Sequence, residues 1–294
     1  MPRLKLIKEM IFDGRGEPPQ PASKPDPVHW SDSELTGSCL GHSTVFLNFL
    51  GVRVLTDPVF SKRAGPGVPP FILGPKRYLA PALTPRELPV PDVIVLSHAH
   101  FDHFDVWSLR KFSRKTFVIT AKNTQDLVHC LGFSHIHELG WGEKIDIKTP
   151  QHGLVRFTGL EVAHWGARMI KDEHRGYNAY LIERAGHAVC FAGDTAHTRA
   201  FARLNDPKRP LDLMLMPIGA YDPWIRAHCS PEQAASMTRD ADARHFVPIH
   251  HQTFKLSAEA MDEPIARLRA AFADEPERIL ATSVGETFRV PLAA

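Results

Sequence analysis

Seven consecutive residues, Ser97-His98-Ala99-His100-Phe101-Asp102-His103, put three imidazoles and a carboxylate into one short stretch. They directly follow Asp92-Val93-Ile94-Val95-Leu96, an apolar run that reads as a buried strand. Imidazole and carboxylate together suit zinc, and also iron or manganese. The spacing sends His98 and His100 to one side, with Asp102 and His103 just beyond. One ion cannot comfortably take all four groups from so short a loop. The pattern points to two adjacent metals, each needing further ligands from elsewhere. The bland alternative is a polar loop that is merely His-rich. This density of ligands behind a buried strand argues against it.

Other ligand-type residues fall where strands must end. Leu154 to Ala163 alternates polar and apolar residues as a strand and stops at His164. Asn178 to Glu183 and His187 to Phe191 straddle a turn at Ala185-Gly186, and this hairpin delivers Gly193-Asp194-Thr195. Arg244 to Ile249 is a last buried strand, ending at His250. A scatter of structural histidines would not keep landing at strand ends. Around these lie further elements. Ser43 to Phe49 and Val52 to Thr56 form a hairpin with a turn at Leu50-Gly51, and Asp57 sits just past it. Thr116 to Thr120, Leu211 to Met216 and Glu286 to Val290 read as strands. Asp105 is an N-cap for a helix from Val106 to about Phe112, and a second helix spans Asn123 to Leu131 before Gly132. Ser230-Pro231-Glu232-Gln233 starts a helix reaching about Ala241, with a capping box. Pro264 begins another, with Ile265, Leu268 and Phe272 on one face. His135 and His137 alternate along a short extended segment with no third ligand nearby, so they are expected to decorate a strand.

Several flanking blocks carry a resemblance: Leu55 to Ser61, Gly74-Pro75-Lys76-Arg77, His164-Trp165, Phe191 to Thr195, Pro217 to Tyr221 and Ile249-His250. With the His-rich stretch they resemble the metallo-β-lactamase superfamily. Within it they resemble the branch that contains N-acyl-phosphatidylethanolamine phospholipase D and its bacterial relatives. The resemblance runs from roughly Leu35 to Pro264. It implies an α/β chain folded as an αβ/βα four-layer sandwich with two mixed β-sheets, with metals in the cleft at the sheet ends. It implies that His98, His100 and His164 hold one ion, that Asp102, His103 and His250 hold the other, and that Asp194 bridges both. Two Zn2+ are the expected cofactors, with iron or manganese as alternatives. Asp57 is expected to brace a metal-binding imidazole. Hydrolysis then needs no Ser or Cys nucleophile, and Ser97 is structural. Asp102, Asp194 and His228 are the residues expected to act in catalysis, His228 by donating a proton or binding phosphate. Tyr221 would line the pocket. His251 and Gln252 replace residues of the phospholipase pattern next to a ligand.

Composition bounds the remaining questions. The 294 residues are 43% hydrophobic, enough for a substantial core. Net charge is +2, from 35 basic and 33 acidic residues, a balance that offers no strong argument for nucleic acid or for an anionic membrane surface. Cys39, Cys130, Cys190 and Cys229 are widely separated, as expected of reduced thiols in the cytoplasm. Met1 to Met10 lacks a signal-peptide core, and no apolar run is long enough to cross a membrane. Residues 1–34 read as a Pro-rich N-terminal arm and 35–294 as one hydrolase domain, because splitting the chain would divide the ligands. Arg63 to Pro81 is a long Pro/Gly-rich loop. Its apolar residues, Phe71 and Ile72 among them, are candidates for contact with acyl chains, and Lys76 and Arg77 for contact with a phosphate.

The expected activity is a binuclear zinc hydrolase, a phosphodiesterase of the phospholipase D type. A lactonase or amide hydrolase of the same fold is the alternative, followed by an iron-dependent redox protein. The expected partner is a small-molecule or phospholipid substrate. Peripheral contact with the inner membrane surface, and a homodimer, stand open.

Overall fold

Apolar runs with no polar face need cover on both sides, and the chain folds to supply it. The computed structural model describes residues 16–149, 153–169 and 171–292. The first half supplies β1 (Leu35–Gly41), β2 (Thr44–Phe49), β3 (Val52–Thr56), a small hairpin of β4 (Gly67–Val68) and β5 (Phe71–Ile72), then β6 (Val93–Leu96), β7 (Phe117–Ala121) and β8 (His135–Leu139). The second half supplies β9 (Lys144–Thr149), β10 (Gly153–Leu160), β11 (Ala179–Arg184), β12 (His187–Phe191), β13 (Leu211–Pro217), β14 (Ala243–Ile249) and β15 (Thr287–Val290).

One sheet runs in the order β15-β1-β2-β3-β6-β7-β8, the other β14-β13-β12-β11-β10-β9. Each is antiparallel at one end and parallel at the other. β3, β6, β7 and β8 pair in parallel, as do β12, β13 and β14. The alternation along each strand then divides its side chains between two cores. Val93 and Val95 of β6 face Leu213 and Leu215 of β13 across the inter-sheet core, together with Phe157 and Ile182. Ile94 and Leu96 point the other way.

Among the described residues, four α-helices and their flanking turns cover the outer faces: α1 (Val106–Leu109), α2 (Gln125–His129), α3 (Pro231–Asp240) and α4 (Glu263–Ala271). Leu109 and Val128 pack with Ile94 and Val118 outside the first sheet. Ala235, Met237, Leu268 and Phe272 pack with Met214 and Met216 outside the second. The result is the four-layer α/β sandwich with two mixed sheets. No helix among the described residues is long and apolar enough to cross a membrane.

Caps appear where residue chemistry demands them. Asp105 accepts from the Trp107 amide, and Ser230 and Gln233 close a reciprocal capping box on α3. The first two helices are shorter than expected. Asn123 takes a left-handed conformation (φ +57°), so α2 cannot start until Gln125. α1 stops at Leu109, and turns through Phe112 lead the chain back to β7. His135 and His137 lie on β8, where both rings pack against Phe117. β1 had no clear sequence signal, since it carries glycines at 37 and 41, whereas β9, not anticipated, alternates Lys144, Asp146 and Lys148 with Ile145 and Ile147 as a half-buried strand does.

Of the arm, residues 16–34 lie over the first sheet's loops. Pro19 accepts from the Ala80 amide at 2.9 Å, and Lys24 pairs with Glu87 at 2.6 Å. The part before Gly16 falls outside the described residues.

Phe157 is fully buried between the sheets. Phe157→Ala is expected to cost about 3–5 kcal/mol of stability. Phe71, 82% exposed at the β4–β5 turn, should leave stability within about 0.5 kcal/mol when replaced by Ala. Urea melts of the two variants check both; equal losses would contradict this account of the core.

Candidate metal centre

Six strand ends converge on one point. His42 follows β1, Asp57 follows β3, Ser97 and His98 follow β6, Asp194 lies shortly after β12 and His250 follows β14. His164 arrives from the loop after β10. Three of these residues leave their strands in left-handed backbone conformations: Asp57 at φ +31°, His42 at +57° and His250 at +60°. Such positions cost of order 1–3 kcal/mol for non-glycine residues and persist only where the surroundings hold them. Gly193 does the opposite job. A Cβ there would lie 2.6 Å from the Ser97 side chain, so glycine lets the loops bearing His98 and Asp194 meet.

The ligand-type atoms gather in two groups. In the first, His98 Nε2 lies 2.8 Å from His100 Nδ1, and His164 Nε2 lies 3.3 Å from the same atom. In the second, Asp102, His103 and His250 come together with His42. His250 Nε2 is 3.5 Å from Asp102 Oδ2, and His103 Nε2 is 3.7 Å from it. Asp194 stands between the groups. Its Oδ2 lies 3.1 Å from His250 Nε2, 3.2 Å from His103 Nε2 and 3.8 Å from His164 Nε2.

The polar atoms around this point are buried and poorly satisfied. His103 Nε2, both ring nitrogens of His250, and Asp194 Oδ1 make no hydrogen bond of acceptable geometry within the chain. Buried polar atoms without partners are costly unless something else binds them. Imidazole nitrogens and carboxylate oxygens aimed at shared points fit divalent cations, and no Cys joins these groups.

The outward nitrogens are held by a separate set of bonds. Asp57 accepts from the Ser97 amide at 2.7 Å, from Ser97 Oγ at 2.5 Å and from His103 Nδ1 at 2.6 Å. Ser97 Oγ in turn lies 2.9 Å from His98 Nδ1 and can accept its proton. One buried carboxylate therefore orients a ligand of each group, His103 directly and His98 through Ser97. His164 Nδ1 donates to the Ala227 carbonyl at 2.9 Å, which leaves Nε2 facing inward. Arg168 clamps the ligand loop by donating to Ala99 O and Phe104 O at 2.9 and 2.7 Å, with its guanidinium 3.9 Å from the Phe101 ring.

Electrostatics follows from burial and neighbours. Burial, reinforced by the facing imidazoles, pushes His98 and His164 well below the usual histidine pKa. They are neutral, the form that binds metal. Burial also disfavours charge on His103 and His250, yet the Asp194 and Asp102 carboxylates overcome it. His103 is held well above its ordinary value and His250 at about 9. Burial opposes charge on Asp102 and Asp194 too, but His103 and the other facing imidazoles keep both carboxyls well below the usual range. Without metal, the second group balances its own charge.

The remaining candidates fall in different places. His228 joins the centre: Nδ1 is 3.6 Å from Asp194 Oδ2, and the ring lies 5.1 Å from His164 and 5.3 Å from His250. Tyr221, expected to line the pocket, turns elsewhere. A buried phenol needs a partner, and its hydroxyl donates to Glu263 at 2.7 Å while Arg267 covers the ring. Ile72 lines a recess with Phe101, Phe104 and Arg168, whereas Phe71 projects into solvent. Arg77 is unavailable to a phosphate: it is buried, donates to the Val59 and Ser61 carbonyls and lies over Phe254. Lys76 Nζ donates to Gly16 O at 2.6 Å.

His42, Trp165 and Arg168 were not anticipated as parts of the site. His42 carried the same signal as the ligand-type residues, a histidine after a strand, but β1 was not legible as one. The Trp165 ring lies 4.4 Å from that of His164 and meets His100 edge-on at 4.7 Å. With Ala64, Pro75, Phe101 and Leu256 it walls a recess of about 240 Å³ that opens on His100 and Asp102.

Two mixed sheets with helices outside, and paired imidazole and carboxylate groups at the strand ends, define a metal-dependent hydrolase. Residues 52–251 match the model of the beta-lactamase superfamily domain, and the chain belongs to that family. An uncharacterised protein of Mycobacterium tuberculosis is 31% identical over 89% of this chain and 70% of its own length. The mitochondrial N-acyl-phosphatidylethanolamine-hydrolyzing phospholipase D of Saccharomyces cerevisiae is 30% identical over 84% of this chain and 54% of its own length. Phospholipase D 1 of the same specificity from Caenorhabditis elegans is 30% identical over 81% and 70%. Among solved structures, the metallo hydrolase Igni18 of Ignicoccus hospitalis superposes with a TM-score of 0.62 at 19% identity, covering 88% of this chain and 99% of that one.

Metal binding to the second group must displace protons from His103 and His250, because the pKa of each is raised in its absence. Affinity should therefore be greatest above pH about 9 and fall as pH is lowered through that value. Titration of the metal-free chain with Zn2+ at pH 7 should release protons, seen as a heat that changes with buffer ionisation enthalpy. A buffer-independent heat would contradict the assignment. Chelation should leave the chain folded, since the inter-sheet core contains none of the ligands. Metal at about 100-fold over its Kd would then add about 2.7 kcal/mol, read as a rise in Tm.

Proposed function

We propose that the chain is a two-zinc phosphodiesterase of the phospholipase D type, acting on N-acyl-phosphatidylethanolamine or a related phosphodiester. The similarity to two N-acyl-phosphatidylethanolamine-hydrolyzing phospholipases D over more than four-fifths of the chain carries this reading. In it, His98, His100 and His164 would hold one ion and Asp102, His103 and His250 the other, with the Asp194 carboxylate within reach of both groups. Two bound Zn2+ would lower the pKa of water towards about 7 and neutralise charge developing on the phosphoryl oxygens.

The chain's own residues do the rest. Asp57 and Ser97 fix the imidazole orientations and so the inward donor atoms. Trp165, Phe101 and Leu256 offer an apolar wall beside the centre. His228 is neutral, because burial pushes its pKa down to about 4, and nearby cations would lower it further. Its role is then to donate a hydrogen bond to a phosphoryl oxygen rather than to act as an acid.

The division into an arm over 1–34 and one hydrolase domain over 35–294 is part of the proposal. It is supported by β15, which returns from the C-terminal half to pair with β1. Contact with a lipid surface is assigned to the β4–β5 hairpin, where Val68, Phe71 and Leu73 are exposed beside the recess.

Elemental analysis should find about two zinc per chain, and bis-p-nitrophenyl phosphate should be cleaved in a chelator-sensitive way. Two zinc with cleavage of lactones or amides instead would replace the phosphodiesterase reading. Phe71→Ser should slow hydrolysis of N-acyl-phosphatidylethanolamine in vesicles while leaving bis-p-nitrophenyl phosphate turnover within about twofold. Equal rates on vesicles would remove the lipid-contact role.

A further inference from the structure

His42 is the one histidine at the centre that the proposed ligand sets and the proposed chemistry leave without a role. It is buried, and its Nε2 lies 3.1 Å from Asp102 Oδ2. Asp102 is the most exposed carboxylate of the centre, at 17% of its side chain, and it comes from a loop rather than a strand. Among the described residues no backbone amide holds its carboxylate; the close contacts are with His42, His103 and His250. The His42 backbone is tied as well. Its amide donates to Thr253 Oγ1 at 2.6 Å, and its carbonyl accepts from the His250 amide at 3.0 Å. One residue thus touches two members of the second group, Asp102 through its ring and His250 through its carbonyl. The left-handed backbone at His42 is what lets both contacts form at once.

We propose that His42 is a positioning residue for the second metal: its Nε2–H holds the Asp102 carboxylate in the orientation that the ion requires. The Nε2–H tautomer leaves Nδ1 unprotonated, and Nδ1 is the ring atom that is buried without a partner. An unpartnered lone pair on that side costs less than an unpartnered N–H with no acceptor. The ring packs 4.1 Å from that of His250 and 5.2 Å from Phe254, which fixes its direction. The assignment rests on the two-metal reading above, but not on the identity of the substrate.

The test is a Zn2+ titration of the metal-depleted full-length chain, read by competition with a chromophoric chelator and by metal content after desalting. Co2+ is used in parallel for its visible spectrum. His42→Ala is expected to weaken one of the two ions by about 10–100-fold and to leave the other within about twofold. His42→Gln, whose amide can still donate to Asp102, should recover most of the loss and restore the Co2+ spectrum of the second site. Melting of each metal-free variant separates loss of fold from loss of metal, and His42→Gln keeps the test open if His42→Ala does not fold. Two ions bound by His42→Ala with wild-type affinities would overturn the proposal. A His42→Gln variant as weak as His42→Ala would also overturn it, since an imidazole ligand rather than a hydrogen bond would then be needed. A wild-type chain that binds a single ion would overturn the two-metal reading itself, and this assignment with it.

Discussion

The organising constraint is the buried Asp194 carboxylate. It sits among imidazoles from separate loops, and one of its oxygens has no hydrogen-bond partner. Burying an uncompensated carboxylate costs several kcal/mol, so this position is tenable only where positive charge is supplied from close by. Protonated His103 and His250 supply it in the metal-free chain, and divalent cations do so far better. The contributing strands must therefore end at one place, whatever the loops between them do. The two-sheet architecture meets that demand because parallel strands in each sheet end on the same side.

The cost of convergence is local, and it is held by neighbours. Asp57, His42 and His250 adopt backbone conformations that non-glycine residues avoid. Each is pinned by specific bonds: Asp57 to Ser97 and His103, His42 to Thr253 and Asp102, His250 to the His42 carbonyl. Strain and constraint occur at the same residues, as expected of a preorganised site. The inter-sheet core lies on the other side of these residues. It is built almost wholly of aliphatic and aromatic side chains and contains none of the ligand-type residues of the centre.

Much of this was legible from residues alone. The His98-to-His103 stretch behind a buried strand marked one place where ligand-type residues gather, and His164, Asp194 and His250, which join it in space, stood out because each followed a strand. His42 obeyed the same rule and was missed, because Leu35–Gly41 carries glycines where a strand would show β-branched residues. Tyr221 and Arg77 were misplaced for a different reason. A phenol or guanidinium near a site in sequence satisfies itself with whatever partner lies closest in space, here Glu263 and the Val59 and Ser61 carbonyls. Pairing across such distances depends on the tertiary fold, which local pattern does not encode.

The same reasoning explains why reaction class is easier to read than substrate. Ligands sit just beyond strand ends, where register and burial leave little freedom. The residues that wall the recess come from connections instead: Ala64 and Pro75 from the long loop after β3, Trp165 from the loop after β10, and Leu256 from the turn after β14. Connections tolerate substitution and changes of length far better than strands do. A chain can thus keep every donor atom of the centre while its recess changes shape and polarity. In this chain the wall is dominated by aromatic and aliphatic side chains, and among its described residues it holds no Lys or Arg. The charged and titratable groups at the recess are then the ones it opens on, Asp102 and His100. A wall of this kind discriminates by shape and apolar contact, and it can be rebuilt without moving a single donor atom of the centre.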